Sequence, residues 1–92
     1  MKELTAQQLK ELLKKYPDVH IIDVREPFEY EAGHISGAKN IPLGEINNYH
    51  GDKAIPLYVI CRSGHRSMQA CHILRNKGYD VTNISDGMLG YQ

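Results

Sequence analysis

The apolar residues of this 92-residue chain fall into short runs that polar segments rich in glycine and proline separate. The two most continuous runs, 19–24 (VHIIDV) and 57–60 (LYVI), favour strands that are buried on both faces of a sheet. Weaker runs at 2–4, 39–41 and 79–84 predict three further strands. The hydrophobic pattern therefore predicts a sheet of five strands.

Helical segments are predicted between these strands. Thr5 is a favourable N-cap for a first helix, which carries three leucines toward the core. Proline in the first turn favours a short helix over 26–31, and 44–49 predicts one or two further helical turns. Strands that alternate with helices indicate an α/β fold, with a mainly parallel five-stranded sheet and helices on both faces. Ninety-two residues suffice for one such unit, so we expect a single domain over residues 1–92.

The stretch from 57 to 67, LYVICRSGHRS, combines a strand, a loop and the start of a helix. Cys61 stands where the strand ends, and the next four residues are too polar to continue it. A helix is predicted over 66–77, with Gly78 as its stop. Its predicted apolar face comprises Met68, Ala70, Cys71, Ile73 and Leu74. Because N–H groups of a loop that leads into a helix point back at the preceding strand, they are expected to surround the Cys61 thiol.

A cysteine acts as a nucleophile only as the thiolate, and a free thiol has a pKa of about 8.5. Lowering this pKa by roughly two units takes about 2.7 kcal/mol, whereas a helix terminus supplies about 0.3 to 1 and at most about 2 kcal/mol. Arg62, Arg66 and the loop N–H groups are predicted to supply the remainder. A lone cysteine after a strand is usually an inert core residue, but two neighbouring arginines favour an accessible thiolate at the mouth of the loop.

The loop sequence CRSGHRS resembles the active-site loop of the rhodanese family, single-domain sulfurtransferases that carry sulfur as a cysteine persulfide. The segments DVRE at 23–26, FEYEAGHISGAKNIP at 28–42 and DGMLGY at 86–91 resemble other motifs of that family. The resemblance implies that Cys61 takes sulfur from a small anionic donor, thiosulfate or a persulfide. The acceptor would be cyanide, a thiol or a sulfur-acceptor protein, and no cofactor is implied.

The resemblance also implies roles for the neighbours of Cys61. Backbone N–H groups and side chains of the loop would bind the donor, and His65 would select the substrate rather than act as an acid or base. The implied donor-binding residues are Arg62, Ser63, Gly64, His65, Arg66 and Ser67. Where relatives have two glycines and a later tryptophan, this chain has Asp86 beside Gly87 and an aromatic Tyr91, which is expected to pack over the sheet.

Three polar residues upstream of the loop are interpreted structurally. Asp23 and Arg25 follow a buried strand and are expected to pair with each other in support of the loop. The alternative is that Arg25 adds positive potential to the cysteine site. His34 lies beside glycines, where a hydrogen bond to loop carbonyls is commoner than a catalytic role.

Three other functions remain as hypotheses. A cysteine phosphatase or arsenate reductase of this fold also uses a cysteine followed by an arginine, but four residues separate Cys61 from Arg66, whereas those phosphatases have five. A non-catalytic module would use Cys61 as a persulfide carrier, redox sensor or docking element. A zinc site is disfavoured, because its candidate ligands lack paired spacing and lie beside two arginines; these ligands are Cys61, His65, Cys71 and His72.

The composition limits the binding partners and the compartment that we expect for this protein. Eleven basic and eleven acidic residues give zero formal charge, so no nucleic-acid surface is expected. The longest apolar run, 57–61, is far below the roughly 20 residues of a membrane span, and the first residues lack a signal-peptide core. Two cysteines do not form an extracellular disulfide framework, so we expect reduced thiols, a cytoplasmic location and no membrane partner.

Overall fold

The computed structural model describes residues 2–92 and confirms the predicted α/β fold. Its strands are β1 (Lys2–Leu4), β2 (His20–Asp23), β3 (Lys39–Asn40), β4 (Leu57–Ile60) and β5 (Val81–Ile84). They form one sheet in the order β1-β5-β4-β2-β3, and every neighbouring pair is parallel. The strand that leads to Cys61 therefore lies at the centre of the sheet.

Helices connect the strands and cover the sheet. They are α1 (Ala6–Lys15), α2 (Pro27–Glu31), a 3-10 helix (Leu43–Asn48), α3 (His65–Asn76) and α4 (Gly87–Tyr91). Thr5 is the predicted N-cap of α1, and its hydroxyl oxygen accepts the N–H of Gln8 at 3.2 Å. Within residues 2–92, no helix combines the length and the apolar composition that crossing a membrane requires.

The sheet separates two apolar cores, because successive side chains of a strand point to opposite faces. Ile22 and Val59 lie in the core that includes residues of α3 and the 3-10 helix. Ile21 and Ile60 lie in the other core, with residues of α1 and α4. Both faces of β2 and β4 are therefore buried, as the continuous apolar runs of these two strands predict.

Apart from shifts of one residue at the ends of several elements, two details of the sequence prediction are wrong. Residues 79 and 80 do not belong to β5, because the N–H of Tyr79 donates to the carbonyl of Leu74 at 3.1 Å and closes the end of α3. Met68 is 38% exposed and does not belong to the buried face of α3. Ser67 takes the first buried position instead, followed by Ala70, Cys71 and Leu74.

The carboxyl ends of the parallel strands meet at one edge of the sheet. Asp23 ends β2, Cys61 follows β4 and Ser85 follows β5 at this edge. The adjoining loops are joined by main-chain hydrogen bonds, from the N–H of Val24 to the carbonyl of Ile60 at 2.9 Å and from the N–H of Met88 to that of Cys61 at 2.9 Å. Chemistry in α/β folds is usually found at this edge.

Candidate active site

Cys61 begins a loop that wraps around its own side chain; we call residues 61–67 the Cys61 loop. The N–H of Gly64 donates to Cys61 Sγ at 3.1 Å. The hydroxyl oxygen of Ser67, in the first turn of α3, lies 3.4 Å from the same sulfur and can donate to it when the sulfur is ionised. The fold thus turns the start of α3 and the preceding loop toward one sulfur atom.

These contacts favour the thiolate. Burial acts to raise the pKa of the Cys61 thiol, but hydrogen bonds from the Ser67 side chain and from the backbone N–H groups of Ser67, Gly64 and Ser63 outweigh it. The pKa of Cys61 therefore lies below that of a free thiol. Of the two sources that the sequence predicts, the loop N–H groups therefore lower the pKa of Cys61 more than the guanidinium charge of Arg62 and Arg66 does.

Cys61 is far less accessible than the sequence predicts. The residue is 1% exposed, whereas we expected it at the open mouth of the loop. The loop covers the sulfur from one side, and α4 is fixed beside it because the N–H of Leu89 donates to the carbonyl of Arg62 at 3.0 Å. The loop and α4 therefore shield the sulfur from solvent.

Arg66 is engaged by a carboxylate. Its Nη1 and Nη2 donate to the two carboxylate oxygens of Glu29 at 2.6 and 3.0 Å, which joins α3 to α2. The hydrogen bond from Arg66 is the main cause that lowers the pKa of Glu29 to about 2. Glu29 therefore balances the Arg66 charge, and this pair braces the Cys61 loop from the side.

The Glu29–Arg66 pair should make stability depend on pH. Because the pKa of Glu29 is about 2 in the folded protein and 4.5 ordinarily, the pair stabilises fully above about pH 4.5 and is lost as the pH falls toward 2. We expect Glu29→Gln to lower the free energy of unfolding by about 1 kcal/mol near neutral pH, a typical value for a partly exposed pair. Urea denaturation at several pH values measures this difference.

The matched control is Glu11→Gln, since Glu11 pairs with Lys14 but both side chains are 72% exposed. It should change stability less, and with little dependence on pH. A Glu29→Gln effect that is equally large near neutral pH and near pH 2 would contradict the assigned pairing.

Arg62 differs from Arg66 because its side chain is exposed and forms no ion pair within residues 2–92. It lines a depression of about 330 Å³ whose walls are formed mainly by apolar side chains but also by the ion-paired Arg25 and Glu29. Phe28 is 73% exposed and Leu89 is 54% exposed, and both belong to these walls. Among residues 2–92, a positive charge without an ion-pair partner thus lies beside a largely apolar surface next to the Cys61 loop.

Asp23 and Arg25 form a buried ion pair, as the structural interpretation of these residues expects. Arg25 Nη2 donates to Asp23 Oδ2 and to the carbonyl of Gly33, both at 2.8 Å. Asn40 Nδ2 donates to the main-chain carbonyls of Asp23 and Arg25, both at 3.0 Å. The positive charge of Arg25 is engaged by Asp23, and the pair fixes the end of β2 beside β4.

The remaining predicted residues make no hydrogen bond to the Cys61 sulfur among residues 2–92. His65 is exposed at the start of α3. His34 Nδ1 lies 2.8 Å from the main-chain carbonyl oxygen of Tyr30, so the predicted bond to a carbonyl is present. Asp86 accepts the N–H of Ala6 at 2.8 Å and thereby caps α1, while Tyr91 packs against the adjoining core.

The second cysteine belongs to the core. Cys71 is fully buried, and burial is the main cause that raises its pKa to about 12, so it stays protonated near neutral pH. Cys61 and Cys71 are both free thiols. Among the described residues, no cluster of three or more His, Cys, Asp and Glu side chains is arranged to hold a metal ion.

Two residues of the site, Glu29 and Asn83, were not identified from the sequence. Glu29 lies 37 positions before Arg66, and no local pattern connects them. Asn83 is fully buried, and its Nδ2 lies 3.4 Å from the carbonyl oxygen of Gly64. Side chains alternate along β5 (VTNI), so Asn83 shares a face with the apolar Val81, and this spacing is the signal that could have identified it.

The fold and this cysteine loop define a rhodanese-like protein. The family model described as the Rhodanese-like domain matches residues 5–92, so the chain belongs to that family. The resemblance inferred from the sequence motifs is thereby confirmed.

Individual relatives agree with this family. A sulfurtransferase of Allochromatium vinosum is 33% identical over 94 residues, covering 97% of this chain and 86% of that protein. The thiosulfate sulfurtransferase GlpE of Pseudoalteromonas translucida is 33% identical over 88 residues, covering 94% and 83%. The crystal structure of a rhodanese-like domain protein from Staphylococcus aureus superposes with a TM-score of 0.91 and 33% identity, covering 100% of this chain and 92% of that one. These names support sulfur transfer as the general activity.

Proposed function

We propose that this protein is a sulfurtransferase that carries sulfur as a persulfide on Cys61. The observation that carries the proposal is the hydrogen-bonded thiol at the end of β4, with the Gly64 N–H 3.1 Å from the sulfur. The lowered pKa of Cys61 supports a nucleophilic role, and the raised pKa of Cys71 argues against that role for the second thiol.

The proposed reaction has two steps. The Cys61 thiolate attacks the outer sulfur of thiosulfate, a sulfur–sulfur bond forms, and sulfite leaves with the electron pair of the broken bond. The persulfide anion is stabilised by N–H groups of the Cys61 loop, which include those of Gly64 and Ser67. Cyanide then attacks the terminal sulfur and leaves as thiocyanate, which restores the thiolate; a thiol acceptor would instead leave as a persulfide.

The surroundings of the loop suit an anionic donor. Arg62 carries the positive charge beside the loop that has no ion-pair partner in residues 2–92, so we assign it the attraction of the donor. The largely apolar depression of about 330 Å³ next to it leaves room for an acceptor larger than cyanide, such as a thiol compound or a thiol of a protein. A reaction on a free thiol suits a reducing compartment such as the cytoplasm.

Arg62→Gln should weaken the use of thiosulfate by raising its KM about three- to tenfold at low salt, with a smaller change in kcat. The reason is that the change removes charge that attracts the donor and leaves the hydrogen bonds to the sulfur in place. Steady-state kinetics at several salt concentrations measure the effect, which should shrink as salt increases. Arg75→Gln is the matched control, because Arg75 is an exposed arginine in the last turn of α3. Equal effects of the two variants would contradict the assigned role of Arg62.

The central experiment offers thiosulfate to the purified protein and looks by mass spectrometry for one added sulfur on the peptide that contains Cys61. Cyanide is then added, and thiocyanate is measured. We expect both signals in the wild-type protein and neither in Cys61→Ser. A loaded Cys61 that releases no sulfur to cyanide or thiols would favour a non-catalytic carrier. Hydrolysis of an aryl phosphate that disappears in Cys61→Ser would favour the phosphatase hypothesis.

A further inference from the structure

One buried polar residue lies directly beneath the Cys61 loop. Asn83 on β5 is completely buried, and its Nδ2 donates to the main-chain carbonyl of Gly64 at 3.4 Å. The same nitrogen donates to Glu3 Oε2 on β1 at 3.4 Å. Gly64 is also the residue whose N–H donates to Cys61 Sγ at 3.1 Å. A single loop residue therefore connects Asn83 to the sulfur.

Stability does not explain an asparagine at this position. Its Oδ1 is buried and has no hydrogen-bond partner among residues 2–92. A buried carbonyl without a partner costs about 1 to 3 kcal/mol, which offsets the stability that the two hydrogen bonds of Nδ2 contribute. The useful part of the side chain is therefore its amide nitrogen, which reaches the loop.

Among residues 2–92, the Gly64 carbonyl accepts one main-chain hydrogen bond besides the one from Asn83. It accepts the N–H of Met68 at 3.2 Å, the first main-chain hydrogen bond of α3, and terminal turns of helices open readily. Gly64 itself has a φ of +100°, and the main-chain oxygen of Ser85 lies directly against its Cα. The Asn83 amide, which lies on the sheet, donates a further hydrogen bond to this carbonyl and so restrains Gly64. The N–H of the same residue points at the sulfur.

We propose that Asn83 is a positioning residue, which holds Gly64 so that the Gly64 N–H stays on the Cys61 sulfur. This inference rests on the proposed role of Cys61 as the nucleophile. Without the Asn83 amide, Gly64 adopts other orientations for part of the time and the sulfur loses a donor. The thiolate is then less stabilised, and the thiol is protonated over a wider pH range.

The test replaces Asn83 with leucine, which has the same number of side-chain heavy atoms and no hydrogen-bonding group. The pKa of Cys61 is measured from the ultraviolet absorbance of the thiolate, with the same variant carrying Cys61→Ser subtracted. The rate at which iodoacetamide alkylates the Cys61 peptide is measured in parallel. We expect a raised pKa and about three- to tenfold slower alkylation near neutral pH, from partial loss of one hydrogen bond to a charged group. The unfolding temperature should change little, because the unpaired Oδ1 is lost together with the hydrogen bonds of Nδ2.

The control lies on the same strand. Val81→Ala removes buried methyl groups at the other end of β5, where Val81 is 4% exposed. It should lower the unfolding temperature and leave the titration of Cys61 unchanged. Glu3→Gln separates the charge of Glu3 from the hydrogen bond of Asn83, and we expect its effect on the Cys61 titration to be smaller than that of Asn83→Leu.

If Cys61 titrates in the Asn83→Leu variant as it does in the wild-type protein, the inference is overturned. If leucine does not fit and the variant unfolds, Asn83→Ser is used, which also lacks the amide; an unchanged titration there overturns the inference equally. Thiosulfate loading of the wild-type protein keeps the two proposals apart. A wild-type protein that takes no sulfur contradicts the proposed function, whereas loading together with an unchanged titration in both Asn83 variants contradicts only the role of Asn83.

Discussion

Gly64→Ala is expected to reduce persulfide formation on Cys61 by roughly ten- to over a hundredfold. A methyl group at position 64 would lie 2.2 Å from the main-chain oxygen of Ser85, and the φ of +100° is a conformation that alanine rarely adopts. The backbone must therefore move away from β5, which takes the Gly64 N–H off the sulfur. Loss of a hydrogen bond to a charged group is worth about 1.5 to 3 kcal/mol, which corresponds to roughly ten- to over a hundredfold in rate. The rate of thiosulfate loading under single-turnover conditions measures this loss.

Gly44→Ala is the matched control for this substitution. Gly44 lies in the 3-10 helix, and a methyl group there would meet nothing within 4 Å. It should keep wild-type loading and stability. Circular dichroism of Gly64→Ala separates a displaced loop from an unfolded protein. A folded Gly64→Ala that loads sulfur at the wild-type rate would show that the Gly64 N–H is not needed.

Asp23→Ala is expected to be the most destabilising single change at the edge of the sheet where the carboxyl ends of the strands meet. Asp23 is fully buried and Arg25 is 7% exposed, so the substitution leaves a buried guanidinium group without its carboxylate. Breaking a buried pair in this way costs about 3 to 5 kcal/mol, a large part of the 5 to 15 kcal/mol that typically stabilises a protein domain. Urea denaturation followed by circular dichroism gives the free energy of unfolding.

A double variant tests the physical reason. Asp23→Leu combined with Arg25→Met replaces both charges with apolar groups and leaves no buried charge without a partner. It should recover much of the stability that Asp23→Ala loses, because apolar replacements of buried ion pairs are often neutral. If the double variant is as unstable as the single one, the cause is lost packing or the lost bond to Gly33 and not the isolated charge.

The outcome for Asp23 and Arg25 shows which parts of the site are predictable from sequence. The two residues are separated by one position, so the end of a buried strand already brings their side chains within reach of each other. The prediction of a pair is correct for this local reason. Glu29 could not be assigned to Arg66 in the same way, because their contact depends on how α2 packs beside the Cys61 loop.

The exposure of Cys61 is the clearest limit of sequence reasoning. The polar loop predicts an accessible thiol, but the residue is 1% exposed because the same loop closes over the sulfur and α4 is bonded next to it. Gly87 shows how close this packing is, since a methyl group there would lie 2.4 Å from the carbonyl oxygen of Cys61. The motif indicates which atom we propose as the nucleophile, but it does not indicate the path by which a substrate would reach that atom.

By itself the sequence determined the order of strands and helices, the parallel sheet and the identity of the central cysteine loop. These follow from hydrophobic spacing, turn residues and motifs, all of which act between residues that are near each other along the chain. Only the tertiary structure decided that Glu29 balances Arg66, that Arg62 has no ion-pair partner in residues 2–92, and that Asn83 reaches Gly64. The physical reason is that these charges and hydrogen bonds join distant segments, and their geometry exists only after the helices have packed on the sheet.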